Sequence, residues 1–285
     1  MGLTDFIWLY LLISILTPML QRRWIEVQRV RLLRRIELMR GSRVITMIHR
    51  QESFAFLGVP FARYINIEDS EAVLRAVRLT PPDMPIDIVL HTPGGLALAA
   101  EQIAEALLRH KAPVTVIVPH YAMSGGTMIA LAADQILVDR NAVLGPLDPQ
   151  VSGQPAAAIL EAVKAKPIDK VDDSTLILAS IARRAMTQIR SSVIKIVTDG
   201  GQTREQAERI ADLLATGQFT HDYAIDFEEA RAMGLPIKDE LPKEIYLLMD
   251  LYPQPARATS VQYIPQPYRR EPAPAPERTR PEAGR

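Results

Sequence analysis

The sequence predicts an α/β domain of stacked βαβ units with a mostly parallel sheet, preceded by an N-terminal transmembrane helix. Three observations carry that expectation. Short apolar runs such as Ile86-Asp-Ile-Val-Leu90 and Val114-Thr-Val-Ile-Val118 alternate with stretches of helical spacing. That is the pattern of strands covered on both faces by crossover helices. From Phe6 to Gln21 no residue is charged, and Arg22 and Arg23 follow at once. From Pro253 to the end there are eight prolines, many charges and few apolar residues after Ile264, a composition that cannot bury enough surface to fold.

These breaks divide the chain into an anchor (1–21), a basic helical connector (22–42), the α/β domain (43–252) and a disordered Pro/Arg-rich tail (253–285). Hydrophobic residues make up 48% and charged residues 23% of the 285, enough for a sizeable core. Lys plus Arg equals Asp plus Glu, 33 each, so no overall field points to nucleic acid. The absence of cysteine excludes disulfides, thiolate catalysis and Cys-based metal sites.

The anchor's sixteen uncharged residues span about 24 Å as a helix at ~1.5 Å each, slightly short of a ~30 Å hydrocarbon core. Snorkelling of Arg22 and Arg23 can close the gap. A cleaved signal peptide needs positive charge before the apolar run, whereas here Asp5 precedes it and arginines follow. The positive-inside rule then puts the main domain on the cytoplasmic side. The connector sets Ile25, Leu32, Leu33, Ile36 and Met39 among arginines. It would rest on anionic lipid, form a stalk, or stand solvated.

In the domain, residues 43–49 read as a strand and 69–79 as a helix capped by Asp69 or Ser70, ended by Thr80-Pro-Pro82. Residues 86–90 form a buried strand. Residues 96–110 form a helix with Ala100, Ile103, Ala104, Leu107 and Leu108 on one face. A strand at 114–118, a helix at 125–133 and a strand at 135–139 follow. Helices then take over at 174–198 and 203–214, the latter opening on the capping box Thr203-Arg-Glu-Gln206. A short helix at 227–233 stops at Gly234.

In such sheets ligands bind beyond the carboxyl ends of the strands. Two turns lie there, His91-Thr-Pro-Gly-Gly95 and Ala122-Met-Ser-Gly-Gly126. Backbone N–H groups of Gly94, Gly95 and Gly125 are candidates for an oxyanion hole, with Ser124 as the attacking hydroxyl. Against this stands the ordinary reading of Ser124 as a helix cap. The turn is not a Gly-x-Ser-x-Gly elbow, because Ala122 occupies its first position, and no phosphate-binding loop is present.

The order of motifs adds to that reading. His91-Thr-Pro-Gly-Gly95, Met123-Ser-Gly-Gly126, Ala132-Ala-Asp-Gln-Ile136, Asn141-Ala-Val-Leu-Gly-Pro146 and Phe227-Glu-Glu-Ala-Arg-Ala-Met-Gly-Leu235 together resemble the Clp protease and crotonase superfamily. With the anchor and Gly145-Pro-Leu-Asp-Pro149, the chain most resembles the serine dehydrogenase proteinase family, over about residues 44–248. The resemblance implies a Clp/crotonase-like fold, a Ser124 nucleophile, the three glycines as oxyanion donors, a protein or peptide substrate near the membrane, and homo-oligomers. It implies no cofactor.

The base departs from the Clp protease pattern, which places a histidine near Val143, where this chain has none. Two substitutes are open. Lys170, in Pro167-Ile-Asp-Lys170, resembles the lysine of Ser–Lys membrane peptidases, with Lys164 and Lys166 less well placed. It would need its pKa lowered from ~10.4 towards ~7–8, while Asp169, Asp172 and Asp173 beside it would raise it. His221 would need no large shift to serve as a base, since an ordinary imidazole's pKa is ~6.5, and it fits the Ser–Asp–His order described for the family. The acid is then Asp148 or Asp173; Asp222 falls where the Clp pattern sets its acid. His91 and His120 flank the turns without ligand spacing, so no metal is expected, and His49 and His110 read as structural or exposed. A non-catalytic membrane scaffold and a crotonase-type acyl-CoA enzyme are the rival functions.

Overall fold

Ile88 and Leu90 point to one side of a strand and Val89 to the other, and all three are completely buried. The computed structural model, which describes residues 2–49 and 64–252, shows why: the sheet is packed on both faces. In chain order the elements are α1 (Leu3–Arg40), β1 (Arg43–Ile48), α2 (Ile67–Arg78), β2 (Ile86–His91), α3 (Ala97–Leu108), β3 (Val114–Val118), β4 (Tyr121–Ala122), α4 (Gly125–Leu131), β5 (Gln135–Val138) and β6 (Val143–Leu144). There follow β7 (Gln150–Val151), β8 (Gln154–Pro155), α5 (Ala156–Lys164), a 3-10 turn at Ile168–Lys170, α6 (Asp173–Asp199), α7 (Arg204–Ala215), α8 (Phe227–Ala232), β9 (Ile237–Lys238) and α9 (Lys243–Asp250).

Five strands form one sheet in the order β1-β2-β3-β5-β9, each pair parallel. The α/β class and the parallel sheet expected from sequence are therefore present. On one face α2, α3, α4, α6 and α7 bury Ile88, Leu90, Val116, Val118 and Ile136. On the other, Val89, Ile117 and Leu137 meet Ile36 of α1 and Ile245 and Leu248 of α9. Each such fully buried aliphatic side chain contributes about 1.5–3 kcal/mol. Residues β4 and β6 pair in a second short ladder, and β7 and β8 form a hairpin through Ser152-Gly153, whose positive φ values of 53° and 77° suit a tight two-residue turn.

Several expectations change in detail. The cap of α2 is Asn66, not Asp69 or Ser70; Asp69 is instead the third residue of its capping box. Thr203 and Gln206 do form the expected box on α7. The short strands β4, β6, β7, β8 and β9 went unread because two residues are too few to show a period; the amphipathic helices α5 and α9 are additions to the expected elements.

The second half of the connector packs on the domain, while residues 22–24 at its start are exposed. It continues a single helix, α1, whose last turns lie on the sheet, with Ile36 completely buried and Leu32 and Leu33 packed beside it. Three of its arginines bind the domain. Arg40 makes a two-pronged bond to Asp87 of β2 (Nε–Oδ2 2.5 Å, Nη2–Oδ1 3.0 Å), which Ser42 Oγ also reaches. The Asp87 hydrogen bond holds the Arg40 guanidinium above its ordinary pKa. Arg35 pairs with the buried Glu244 of α9 at 3.2 Å. Arg29 donates to Leu251 O at 2.7 Å and lies over the Tyr252 ring, 4.0 Å from its centre.

Among the described residues no helix is long and apolar enough to cross a membrane. The side chains of residues 3–7, 9, 11 and 15, on which the expected anchor largely rests, lie outside that description, as does the whole tail 253–285.

Candidate active site

The strands β2 and β3 end side by side, and the chain beyond them keeps the parallel relation: Thr92 bridges Ala122, with Thr92 N–H donating to Tyr121 O and Met123 N–H to Thr92 O. This brings the two glycine turns into contact. Gly94 has φ +102°, and a Cβ there would stand 2.8 Å from Ser124 Cβ and 2.9 Å from Met123 O. Gly95 is crowded by the backbone of Ile65, which a Cβ would approach to 2.3 Å. Any larger residue at either position would push the turns apart.

Ser124 adopts φ 49°, ψ −117°, a conformation that costs a non-glycine residue about 1–3 kcal/mol. It begins α4, yet its side chain makes no capping bond, so the hydroxyl is not used as a helix cap. The turn is held by its backbone: Gly126 N–H donates to Met123 O at 2.8 Å and Met128 N–H to Ser124 O at 3.2 Å. The buried Thr127 hydroxyl reaches Ala122 O (2.8 Å) and Gly145 O (2.7 Å) and accepts from Gly145 N–H (3.1 Å). That clasp joins the serine's helix to the chain leading from β6 to Asp148.

The three glycines differ in what their N–H groups do. Gly94 N–H donates to Thr92 Oγ1 at 3.2 Å, and Gly94 O accepts from Ile65 N–H at 2.7 Å. In a trans peptide the next N–H lies on the opposite edge, so Gly95 N–H points away from Ile65. It stands 3.7 Å from where a Cβ of Gly125 would be. Gly125 N–H opens α4, where no carbonyl one turn behind is available to it.

A cavity of about 430 Å³ opens on these groups. Gly95, Ser124, Gly125, Asp148 and His221 all line it, and Leu96, Met128, Leu147 and Ile189 supply apolar wall. Ala185, Gln188 and Ile189, spaced three and four apart, come from one face of α6, which the sequence reading placed as a helix but not as a cavity wall. Asp148 is 3% exposed. Its Oδ2 accepts from Gln150 Nε2 at 2.7 Å, while among the described residues its Oδ1 and the buried His221 Nδ1 have no hydrogen-bond partner. Burial pushes the Asp148 carboxyl up; the charge of His221 and the Gln150 bond pull it back.

Asp148 and His221 are 73 positions apart in sequence, yet one bridge joins the segments that lead to both. Leu144 and Ile225 form an antiparallel pair through two bonds of 2.9 Å. Asp148 lies four residues beyond Leu144 and His221 four before Ile225, and from there both reach the wall of the same cavity. The His221 loop is braced further by Phe219 stacked on Tyr223 (4.3 Å) and by Tyr223 Oη donating to Glu229 at 2.8 Å.

The other candidates lie elsewhere. Lys170 sits on the exposed 3-10 turn, 4.0 Å from Asp169, and is not part of the cavity wall, because the turn carries no buried side chain to draw it in. Lys164, Lys166, Asp173 and Asp222 are exposed and also absent from the wall. His120 is exposed, and His91 is buried beneath it against Tyr121 (4.3 Å). Among the described residues no group of three or more His, Cys, Asp or Glu side chains could hold a metal ion.

A hydroxyl on a strained strand-to-helix turn, sharing a cavity with a histidine and a buried carboxylate, defines the class: a hydrolase of the serine type on an α/β scaffold. Comparison with known proteins agrees. The family model of the ClpP-like SDH-type serine proteinases matches residues 1–276, and the chain belongs to that family. Two uncharacterized proteins of Methanocaldococcus jannaschii are similar along most of their length. One is 51% identical over 264 residues (92% of this chain, 90% of that one), the other 49% over 265 (93% and 92%). Among solved structures, ClpP1 from Listeria monocytogenes is 18% identical with a TM-score of 0.46, covering 72% of this chain and 96% of its own. A mutant of the same protein gives 19% and 0.44, with 73% and 98% covered.

Proposed function

We propose that this protein is a membrane-anchored serine endopeptidase in which Ser124 is the nucleophile, His221 the general base and Asp148 the acid that orients it. The observation that carries the proposal is Ser124 itself: its backbone is strained, its hydroxyl is unused by the helix it opens, and it lines one cavity with His221 and Asp148. In the first step His221 takes the Ser124 Oγ proton as Oγ bonds to the scissile carbonyl carbon. The oxyanion accepts hydrogen bonds from Gly95 and Gly125 N–H, each worth about 3 kcal/mol in the transition state. Gly94 serves as the tight-packed hinge of that hole, since its own N–H is committed to Thr92. The imidazolium then returns its proton to the leaving amine, and water, activated by the same base, cleaves the acyl-enzyme.

Anchoring belongs to the same proposal. Trp8, Tyr10, Leu12, Ile13, Leu16, Met19 and Leu20 are exposed on α1, and Arg22 and Arg23 follow them. This supports a single pass with the domain on the cytoplasmic side and membrane-proximal protein substrates. Assembly into homo-oligomers is proposed on the family relation. A fluorophosphonate probe tests the chemistry: it labels the wild-type chain and fails to label Ser124→Ala. Equal labelling of both would refute the assignment.

A further inference from the structure

Beneath the glycine turn lies a second Asp–His–hydroxyl series that does not reach the cavity. His49, immediately after β1, has its side chain 7% exposed, with Nε2 3.2 Å from Asp69 Oδ2 and Nδ1 2.9 Å from Thr92 Oγ1. Thr92 is completely buried, and its Oγ1 accepts the Gly94 N–H. Neither His49 nor Thr92 lines the cavity, so neither touches a substrate there. Asp69 Oδ2 also accepts from Asn66 N–H at 3.0 Å, next to Ile65, whose N–H holds the Gly94 carbonyl.

The proton positions follow from chemistry. A carboxylate only accepts, so His49 Nε2 carries the proton facing Asp69. In the neutral ring Nδ1 then accepts the Thr92 hydroxyl proton, which leaves a Thr92 lone pair for Gly94 N–H. The series runs Gly94 N–H to Thr92 O–H to His49, and His49 N–H to Asp69. Both ends of Gly94 are thereby tied to one carboxylate: its N–H through Thr92 and His49, its carbonyl through the Ile65–Asn66 backbone.

We infer that His49, with Asp69 and Thr92, is a positioning residue that fixes the Gly94–Gly95 peptide and so aims the Gly95 N–H into the cavity beside Ser124. The inference rests on the serine-peptidase reading of the site and adds to it a support outside the reacting groups. A misaimed oxyanion donor weakens transition-state binding more than ground-state binding, so the loss falls on kcat.

The test uses the full chain and a fluorogenic apolar tripeptide amide. Thr92→Val keeps the side-chain shape and removes the hydroxyl; kcat falls about 10- to 100-fold with KM within about twofold, and Thr92→Ser restores kcat to within about threefold of wild type. His49→Gln reads the same support from its other end and shows the same kcat loss, which keeps the test available should Thr92→Val not fold. Hydrogen exchange at the Gly94 amide is read in parallel, and it accelerates about tenfold or more in Thr92→Val while β3 amides stay unchanged. Unchanged kcat in both variants, a loss confined to KM, or unchanged Gly94 exchange each overturns the inference. A wild-type chain without Ser124-dependent labelling sinks the peptidase reading instead, and the exchange measurement still decides whether Thr92 holds the turn.

Discussion

In the proposed triad, replacing Asp148 by Asn separates the catalytic role of this carboxylate from its effect on the fold. The side chain is almost fully buried, accepts one hydrogen bond from Gln150, and leaves Oδ1 without a partner among the described residues. Burial holds its carboxyl above the ordinary value. A group whose folded pKa is raised favours the fold below its unfolded pKa, and that contribution is lost as pH rises through the folded value. At neutral pH the ionised side chain is therefore a net cost, and Asn of nearly equal shape removes it. The expected gain is about 1 kcal/mol, or about 2–4 °C in Tm, shrinking as the pH is lowered. Catalysis moves the other way. An Asn amide donates to His221 Nδ1 and puts the imidazole proton on Nε2, the wrong tautomer for a base, lowering kcat by about three to four orders of magnitude. Calorimetry between pH 5 and 8 and single-turnover acylation with an activated ester read the two effects. A variant that keeps more than a tenth of wild-type kcat, or that melts below wild type at pH 7, would refute the reasoning.

Gln150→Ala removes the one hydrogen bond that stabilises ionised Asp148, so its pKa rises further and the acid limb of kcat/KM moves to higher pH. A pH–rate profile showing no shift, or a shift to lower pH, contradicts that placement. Arg40→Ala strands the buried Asp87 carboxylate and detaches the end of α1 from the sheet, at a cost of about 3–5 kcal/mol readable by denaturant titration. Lys170→Ala leaves kcat and KM within about twofold of wild type, because that ammonium stands in water outside the cavity; a loss of tenfold or more would reopen the Ser–Lys alternative.

The sheet was legible because its strands are buried on both faces, and such strands must be written in apolar residues. Ile86–His91 and Val114–Val118 stand where their patterns put them. The contact of the two glycine turns was legible too: no other residue lets the backbone of Ile65 lie against position 95 or lets Ser124 lie against position 94. Which of the candidate bases and acids share the cavity with Ser124 was left open by the sequence. His221 and Asp148 occur in short loops without periodicity, each with rivals of the same chemistry nearby.

The Leu144–Ile225 bridge, a pairing of residues far apart in sequence, joins the segments that lead to them. The same holds for α1, whose arginines read as a basic surface until Asp87, Glu244 and Leu251 came within reach. Local sequence determined where the buried strands, the principal helices and the glycine turns lie, because those are set by side-chain period and backbone freedom. The tertiary structure alone decided which carboxylate and which imidazole share the cavity with Ser124 and which arginines meet a carboxylate, because burial and opposite charge act across space and leave no mark at fixed spacing along the chain.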